Sequence, residues 1–138
     1  KDGEKKRPVV IHRAILGSLD RFIAFLLEET KGDLPLWLAP KQVVVIPVSP
    51  EAHSEFGKKI VNELKAMGVR ASLDDRNEKL GYRIREAQTN KVPVEIVVGD
   101  GEVESNGVTV RRYGSKDQKQ MSAEDFYKEL REEIANKK

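Results

Sequence analysis

The chain has 138 residues, enough for one domain of ordinary size with its own core. Its 25 Lys and Arg residues against 23 Asp and Glu residues give a net charge of +2, so bulk charge neither requires nor excludes a nucleic-acid partner. The absence of cysteine excludes a disulfide framework and a thiolate metal cluster, and the apolar runs are far shorter than the roughly 20 residues that span a bilayer.

The first predicted helix lies in GSLDRFIAFLLEET, where apolar residues recur at helical spacing. Ser18 is its predicted N-cap and Gly32 its predicted stop. The next segment, residues 32–41, contains two prolines and no regular period, which is typical of a connector. A domain boundary is therefore expected between an N-terminal block, residues 1–31, and a second domain, residues 42–138.

The second domain alternates between strand and helix patterns. Apolar runs predict strands at residues 43–46 and 92–98, and strict alternation predicts another at residues 69–73. Ser49 is the predicted cap of the first intervening helix, and Asn77 is the predicted cap of the second. Two crossover connections of this kind predict a parallel three-stranded core.

The sequence EVESNGVTVR predicts a β-hairpin, because Asn-Gly supplies the positive φ angles of a two-residue turn. The expected fold is therefore α/β, with a five-stranded mixed sheet flanked by helices. In this register Glu102 and Arg111 are direct neighbours on one face. The pair is interpreted either as a solvated ion pair or as an acceptor and a donor that read an unpaired base.

The helix predicted after Asn77 carries a local excess of positive charge. Residues 76–91 contain five cations and two acids, with Lys79 and Arg83 one turn apart and Arg85 on a flank. The pattern is typical of an ordinary solvated helix face. It also fits a surface that attracts a phosphate backbone.

Other candidate sites have weaker signals. The sequence GDGEVE lacks the third glycine of a dinucleotide fingerprint. Asp74 and Asp75 follow a predicted strand and suit either a phosphoacceptor or Mg²⁺ site or simple turn chemistry. His12 has no second ligand nearby in the sequence, and His53, in the first turn of a helix, is expected to be exposed.

Several long motifs, in order, resemble the bacterial threonyl-tRNA synthetases. RPVVIHRAILGSLDRFIAFLLEE resembles the end of their catalytic domain, with the class II motif 3 in GSLDRF. LPLWLAPKQVVVIPVS, DDRNEKLGYRIREAQ, VPVEIVVGD and EVESNGVTVRR resemble their connector and C-terminal anticodon-binding domain. The resemblance implies a C-terminal piece of such an enzyme, with a class IIa anticodon-binding fold preceded by a helix from the catalytic domain.

The resemblance implies two remnants of an active site. His12 matches a histidine that binds zinc, and Arg21 matches the motif 3 arginine that contacts ATP. The other zinc ligands and motifs 1 and 2 are not in this sequence. The chain alone is therefore expected to bind no zinc, ATP or Mg²⁺ tightly and to have no complete set of catalytic residues.

The resemblance also implies an RNA-binding surface. Asn77, Glu102 and Arg111 match residues that read anticodon bases, and Arg85 matches a helix arginine that lines the same surface. Three cations are expected to support the tRNA backbone: Lys79, Arg83 and Arg85.

The implied function is recognition of the anticodon stem-loop of threonine tRNA. The parent enzyme would attach threonine to this tRNA with ATP, as a cytoplasmic homodimer, and the chain alone is expected to be monomeric. One alternative is a protein-interaction domain that shares the fold, and it loses support if the basic helix and the Glu102–Arg111 face form one continuous surface. Another is a small-molecule or phosphoacceptor domain, which requires a pocket around Asp74 and Gly99.

Overall fold

The computed structural model describes residues 3–137 and divides into two compact units, Lys1–Gly32 and Asp33–Lys138. The first unit contains helix α1, Leu19–Thr30. The predicted cap is confirmed, because the Ser18 side chain accepts a hydrogen bond from the backbone N–H of Arg21 at 3.4 Å.

The second unit contains the sheet and four helices among its described residues. Its strands are β1 (Val43–Pro47), β2 (Ala71–Leu73), β3 (Val94–Val98), β4 (Gly107–Arg112) and β5 (Gln118–Ser122). Its helices are α2 (Pro50–Ala66), α3 (Leu80–Thr89), α4 (Asp100–Ser105) and α5 (Ala123–Ala135). The strand order is β2-β1-β3-β4-β5, with β1 parallel to β2 and β3, and with β4 antiparallel to both of its neighbours. The predicted parallel three-stranded core and the five-stranded mixed sheet are confirmed.

The two faces of the sheet have different partners. Alternate side chains such as Val45, Ile96 and Val110 lie in the main core, which α2 and α5 cover. On the opposite face, Val44 and Ile46 of β1 pack against α3. Helix α3 thus covers the parallel side of this second face, while the antiparallel side carries polar residues.

The hairpin predicted around Asn106 is wrong. Residues 100–105 form α4, Asn106 is its C-cap with φ 49°, and β4 begins at Gly107. The carboxylate of Glu102 accepts a hydrogen bond from the backbone N–H of Gly99 at 2.9 Å, which stabilises the first turn of this helix. The left-handed residue therefore ends a helix instead of turning a hairpin, and the fifth strand is β5.

Two local predictions on the helices also fail. Helix α3 begins at Leu80 with Lys79 as its N-cap, so Asn77 does not cap it. His53 is only 5% exposed, and its ring accepts from the backbone N–H of Ser49 at 3.1 Å and lies 2.9 Å from the carboxylate of Asp100 in α4. The contact of His53 with Asp100 depends on α4, a helix that the hairpin interpretation did not contain.

Among the helices that the structure describes, none combines the length and the apolar character needed to cross a membrane.

Candidate nucleic-acid interface

The antiparallel side of the second face presents a row of polar side chains. Glu95 of β3 pairs with Arg111 of β4, which pairs with Gln118 of β5. Two residues along, Thr109 pairs with Gln120 and lies on the same face as Arg111. Amide, hydroxyl and guanidinium groups in this arrangement match the donors and acceptors on the edges of unpaired bases.

Glu102 reaches this face from α4. Its carboxylate accepts hydrogen bonds from the Thr109 hydroxyl at 2.7 Å, the Gln120 amide at 3.3 Å and the Gly99 backbone N–H at 2.9 Å. Partial burial opposes ionisation, but the hydrogen bonds from Thr109 and Gly99 outweigh it and lower the pKa of Glu102. The predicted direct pairing of Glu102 with Arg111 is wrong, yet the two residues share one face, with Thr109 between them.

Arg111 is partly buried, with its side chain 19% exposed. Its Nε lies 3.7 Å from Oε2 of Glu95, a separation beyond hydrogen-bond distance. It lines a surface depression together with Gln88 of α3, Tyr113 and Ser115. An aromatic ring, an amide and a guanidinium in one depression are the groups that stack on bases and read their edges.

Asn77 is exposed, and hydrogen bonds hold the chain on both sides of it. Before it, the Arg76 guanidinium bonds to both oxygens of Asp74, at 2.8 and 2.7 Å, and to Glu86 at 3.1 Å. These hydrogen bonds from Arg76 hold the pKa of Asp74 below its ordinary value. After it, the Glu78 carbonyl accepts from Arg83 at 3.1 Å. The segment therefore presents Asn77 to solvent from a fixed backbone.

The predicted role of Arg83 in backbone binding does not fit its position. This residue is 1% exposed, and its guanidinium donates to the carbonyls of Glu78, Asp74 and Val48 at 3.1, 2.8 and 3.3 Å. Val48 in turn lies against Gly99, the N-cap of α4. Arg83 thus joins the segment that carries Asn77 to Val48, which directly follows β1.

Lys79 and Arg85 are exposed, as a phosphate-binding role requires. Arg85 lies one turn from Gln88 on α3, and Gln88 lines the same depression as Arg111. The basic helix and the Arg111 face therefore form a continuous surface, which favours nucleic-acid recognition over the protein-interaction alternative.

The groups required by the small-molecule alternative are already engaged. The Asp74 carboxylate is paired with Arg76, and the Gly99 N–H is bonded to Glu102. Asp74 lines a depression with Ser72, Arg76 and Glu86, but Gly99 does not line it, so this depression is not the pocket that the alternative requires.

His12 and Arg21 lie in the first unit, and both are exposed. Among residues 3–137, no group of three or more His, Cys, Asp or Glu side chains is placed to hold a metal ion. The described residues therefore do not fit a complete zinc site.

Several residues of this face were not predicted from the sequence, namely Gln88, Glu95, Thr109, Gln118 and Gln120. A signal for Glu95 is present, since it is an acid in the middle of the apolar run VPVEIVV. The residues of β5 had no such signal, because QKQMS does not alternate between apolar and polar residues.

Comparisons with known proteins identify close relatives of this chain. A family model described as an anticodon binding domain matches residues 42–133. The chain is 55% identical over 138 residues to the threonine-tRNA ligase of Staphylococcus carnosus (strain TM300), covering 100% of the chain and 21% of that protein. It is 56% identical over 137 residues to that of Staphylococcus aureus (strain JH9), covering 99% of the chain and 21% of that protein. The chain thus spans about a fifth of the length of these curated relatives.

A solved structure agrees with the sequence comparisons. It is the crystal structure of the RNA binding domain of threonyl-tRNA synthetase from Cryptosporidium parvum Iowa II, with a TM-score of 0.81 and 34% identity. The match covers 91% of this chain and 31% of that one.

Proposed function

The chain belongs to the family of anticodon-binding domains and is of the type found in threonyl-tRNA synthetases, and we propose that it reads the anticodon stem-loop of threonine tRNA. Asn77, Glu102 and Arg111 contact bases, while Lys79 and Arg85 contact the backbone. The observation that carries the proposal is the open polar face of the sheet, which brings Glu102 and Arg111 together and continues onto α3.

Each proposed base contact follows from the chemistry of the side chain. Arg111 supplies N–H donors to the carbonyl oxygens and ring nitrogens of a base. Glu102 accepts from base amino or imino groups, and its lowered pKa keeps it an acceptor at neutral pH. Three protein donors already occupy Glu102, so it has room for about one more hydrogen bond. Asn77 offers both a donor and an acceptor.

We also propose that the protein carrying this domain is a threonine-tRNA ligase, the name of its curated relatives. In that protein His12 supplies one ligand to zinc and Arg21 one contact to ATP with Mg²⁺, completed by residues outside this chain. Its partners are threonine tRNA and the remainder of the synthetase, as a cytoplasmic homodimer.

The decisive experiment titrates the 138-residue chain with labelled anticodon stem-loops that differ by single bases. Arg111→Ala and Glu102→Ala are each expected to remove about 1–3 kcal/mol of discrimination at one anticodon position. Lys79→Ala is expected to weaken all loops alike and to reduce the slope of log Kd against log salt by about 1.

Arg112→Ala is the matched control for Arg111→Ala. Arg112 is the next residue of β4, points to the opposite face and bonds to Glu133 at 3.0 and 2.6 Å. Its removal should lower stability and leave base discrimination unchanged. Equal binding of every loop by the wild-type chain would contradict the proposed function.

A further inference from the structure

Glu95 is a buried acid with an unusual environment. It is 0% exposed in β3, a strand with neighbours on both sides, and neither carboxylate oxygen has a hydrogen-bond partner among the described residues. Its neighbours across the strands are Val44 on β1 and Arg111 on β4. An enclosed carboxylate without hydrogen bonds is destabilising, so its presence in the centre of a sheet indicates a role other than stability.

The charged group paired with this carboxylate is the Arg111 guanidinium. Nε of Arg111 lies 3.7 Å from Oε2 of Glu95 and is itself buried without a hydrogen-bond partner. A guanidinium is planar and rigid and carries five N–H donors, one of them on Nε. Because Nε lies on the side of Glu95, the four donors on the terminal nitrogens remain for a ligand.

We propose that Glu95 is a positioning residue for Arg111. The ionised carboxylate of Glu95 orients the guanidinium of Arg111 so that the terminal nitrogens of the guanidinium discriminate between bases. The inference rests on the proposed function of Arg111 as a base-reading residue. It goes further in assigning the accuracy of that reading to a residue that the RNA does not touch, because Glu95 is fully enclosed.

The surroundings of Glu95 make this orientation sensitive to pH near neutrality. Burial raises the pKa of Glu95 to about 7, and the nearby positive charge of Arg111 opposes part of that rise. The facing residue of β1 is the apolar Val44, and on this face α3 packs through apolar residues such as Ala87. The charged groups of α3 near Ala87 are Arg85, which is exposed, and Glu86, which pairs with Arg76. Arg111 is therefore the charge that responds to the ionisation of Glu95.

The experiment measures the ratio of Kd values for a cognate stem-loop and a loop with one changed base, at pH 6 and pH 8. In the wild-type chain the ratio of Kd values is expected to rise by about fivefold from pH 6 to pH 8. This change is smaller than the change in the ratio that the loss of a whole bidentate contact would cause. Glu95→Gln should give a low ratio that does not change with pH, because a neutral amide orients the guanidinium weakly. Arg112→Ala should keep both the ratio and its pH dependence.

The outcomes separate this inference from the proposed function. If the wild-type chain binds all loops equally, the proposed function itself fails. A second outcome is that the wild-type chain discriminates between loops and that Arg111→Ala abolishes this discrimination. If Glu95→Gln then leaves the size and the pH dependence of the discrimination intact, only the role of Glu95 is overturned.

A second measurement does not depend on the folding of the Glu95→Gln variant. In the wild-type chain, the NMR resonance of the Arg111 Nε–H, assigned by its loss in Arg111→Lys, should shift with a midpoint near pH 7. A resonance that stays constant from pH 5.5 to pH 8.5 would contradict the proposed coupling.

Discussion

Arg83 and Arg85 lie two residues apart on α3 and have opposite environments. Arg83 is enclosed and bonds to three backbone carbonyls, whereas Arg85 is exposed. Arg83→Ala is therefore expected to lower the free energy of unfolding by about 3 kcal/mol, because it removes three hydrogen bonds and leaves a cavity where the enclosed side chain lay. Arg85→Ala should change it by less than about 0.5 kcal/mol. Urea unfolding followed by circular dichroism measures both values, and equal stabilities would contradict the assigned roles.

The distinction between these two arginines was not predictable from the sequence. Both occur in one basic helical run, and spacing alone places Arg83 with Lys79 on a cationic face. Two of the three carbonyls that bind Arg83 belong to Asp74 and Val48, at the ends of two different strands, so only the tertiary structure brings them to the guanidinium. Charge counts predict the presence of a basic helix but not which of its cations remains free for RNA.

At the scale of elements, the parallel part of the sheet was predictable and the antiparallel part was not. The apolar runs of β1 and β3 and the two helices between the parallel strands leave few alternative arrangements. Asn106-Gly107, by contrast, suits either a hairpin turn or a helix end followed by a strand. Contacts distant in sequence decide between them, because Gly107 lies against the backbone of Met121 in β5.

This contact predicts opposite effects for two glycines. A Cβ at Gly107 would lie 3.0 Å from the carbonyl oxygen of Met121 and 2.9 Å from the Ser105 hydroxyl, so Gly107→Ala should destabilise the chain by about 1–3 kcal/mol. A Cβ at Gly101, within α4, meets nothing within 4 Å, and Gly101→Ala should stabilise the chain by about 0.5–1 kcal/mol. Thermal or urea unfolding of the two variants tests this pair. A hairpin at residues 102–111 would instead make Gly107→Ala costly through its positive φ.

At the scale of the whole second unit, the sheet separates stability from recognition by face. The face that packs under α2 and α5 forms the main core and contains the ion pair of Arg112 with Glu133. The opposite face is covered by α3 on its parallel side and presents Arg111 and Gln118 on its antiparallel side. Because neighbouring residues of a strand point to opposite faces, β4 serves both purposes with consecutive arginines.

The enclosed acid of the recognition face should make the stability of the whole unit depend on pH. The pKa of Glu95 is about 7 in the folded chain and near 4.3 in an unfolded one, so the folded state binds more protons between these values. The free energy of unfolding should therefore fall by about 3 kcal/mol as the pH rises from about 4.5 to about 7, and it should level off above about pH 8.

Glu95→Gln should remove this decline and make the chain more stable than the wild type above pH 7, whereas the two should be nearly equal near pH 4.5. Glu129→Gln, which removes a half-exposed partner of Lys119, is the matched control and should leave the wild-type pH dependence in place. Urea unfolding at a series of pH values gives the three curves. Parallel curves for the wild type and Glu95→Gln would show that the carboxylate is not destabilising, and would remove the reason for expecting a function in its burial. The expected result is that the carboxylate whose ionised form improves base discrimination by Arg111 makes the folded chain less stable at pH 7 than at pH 4.5.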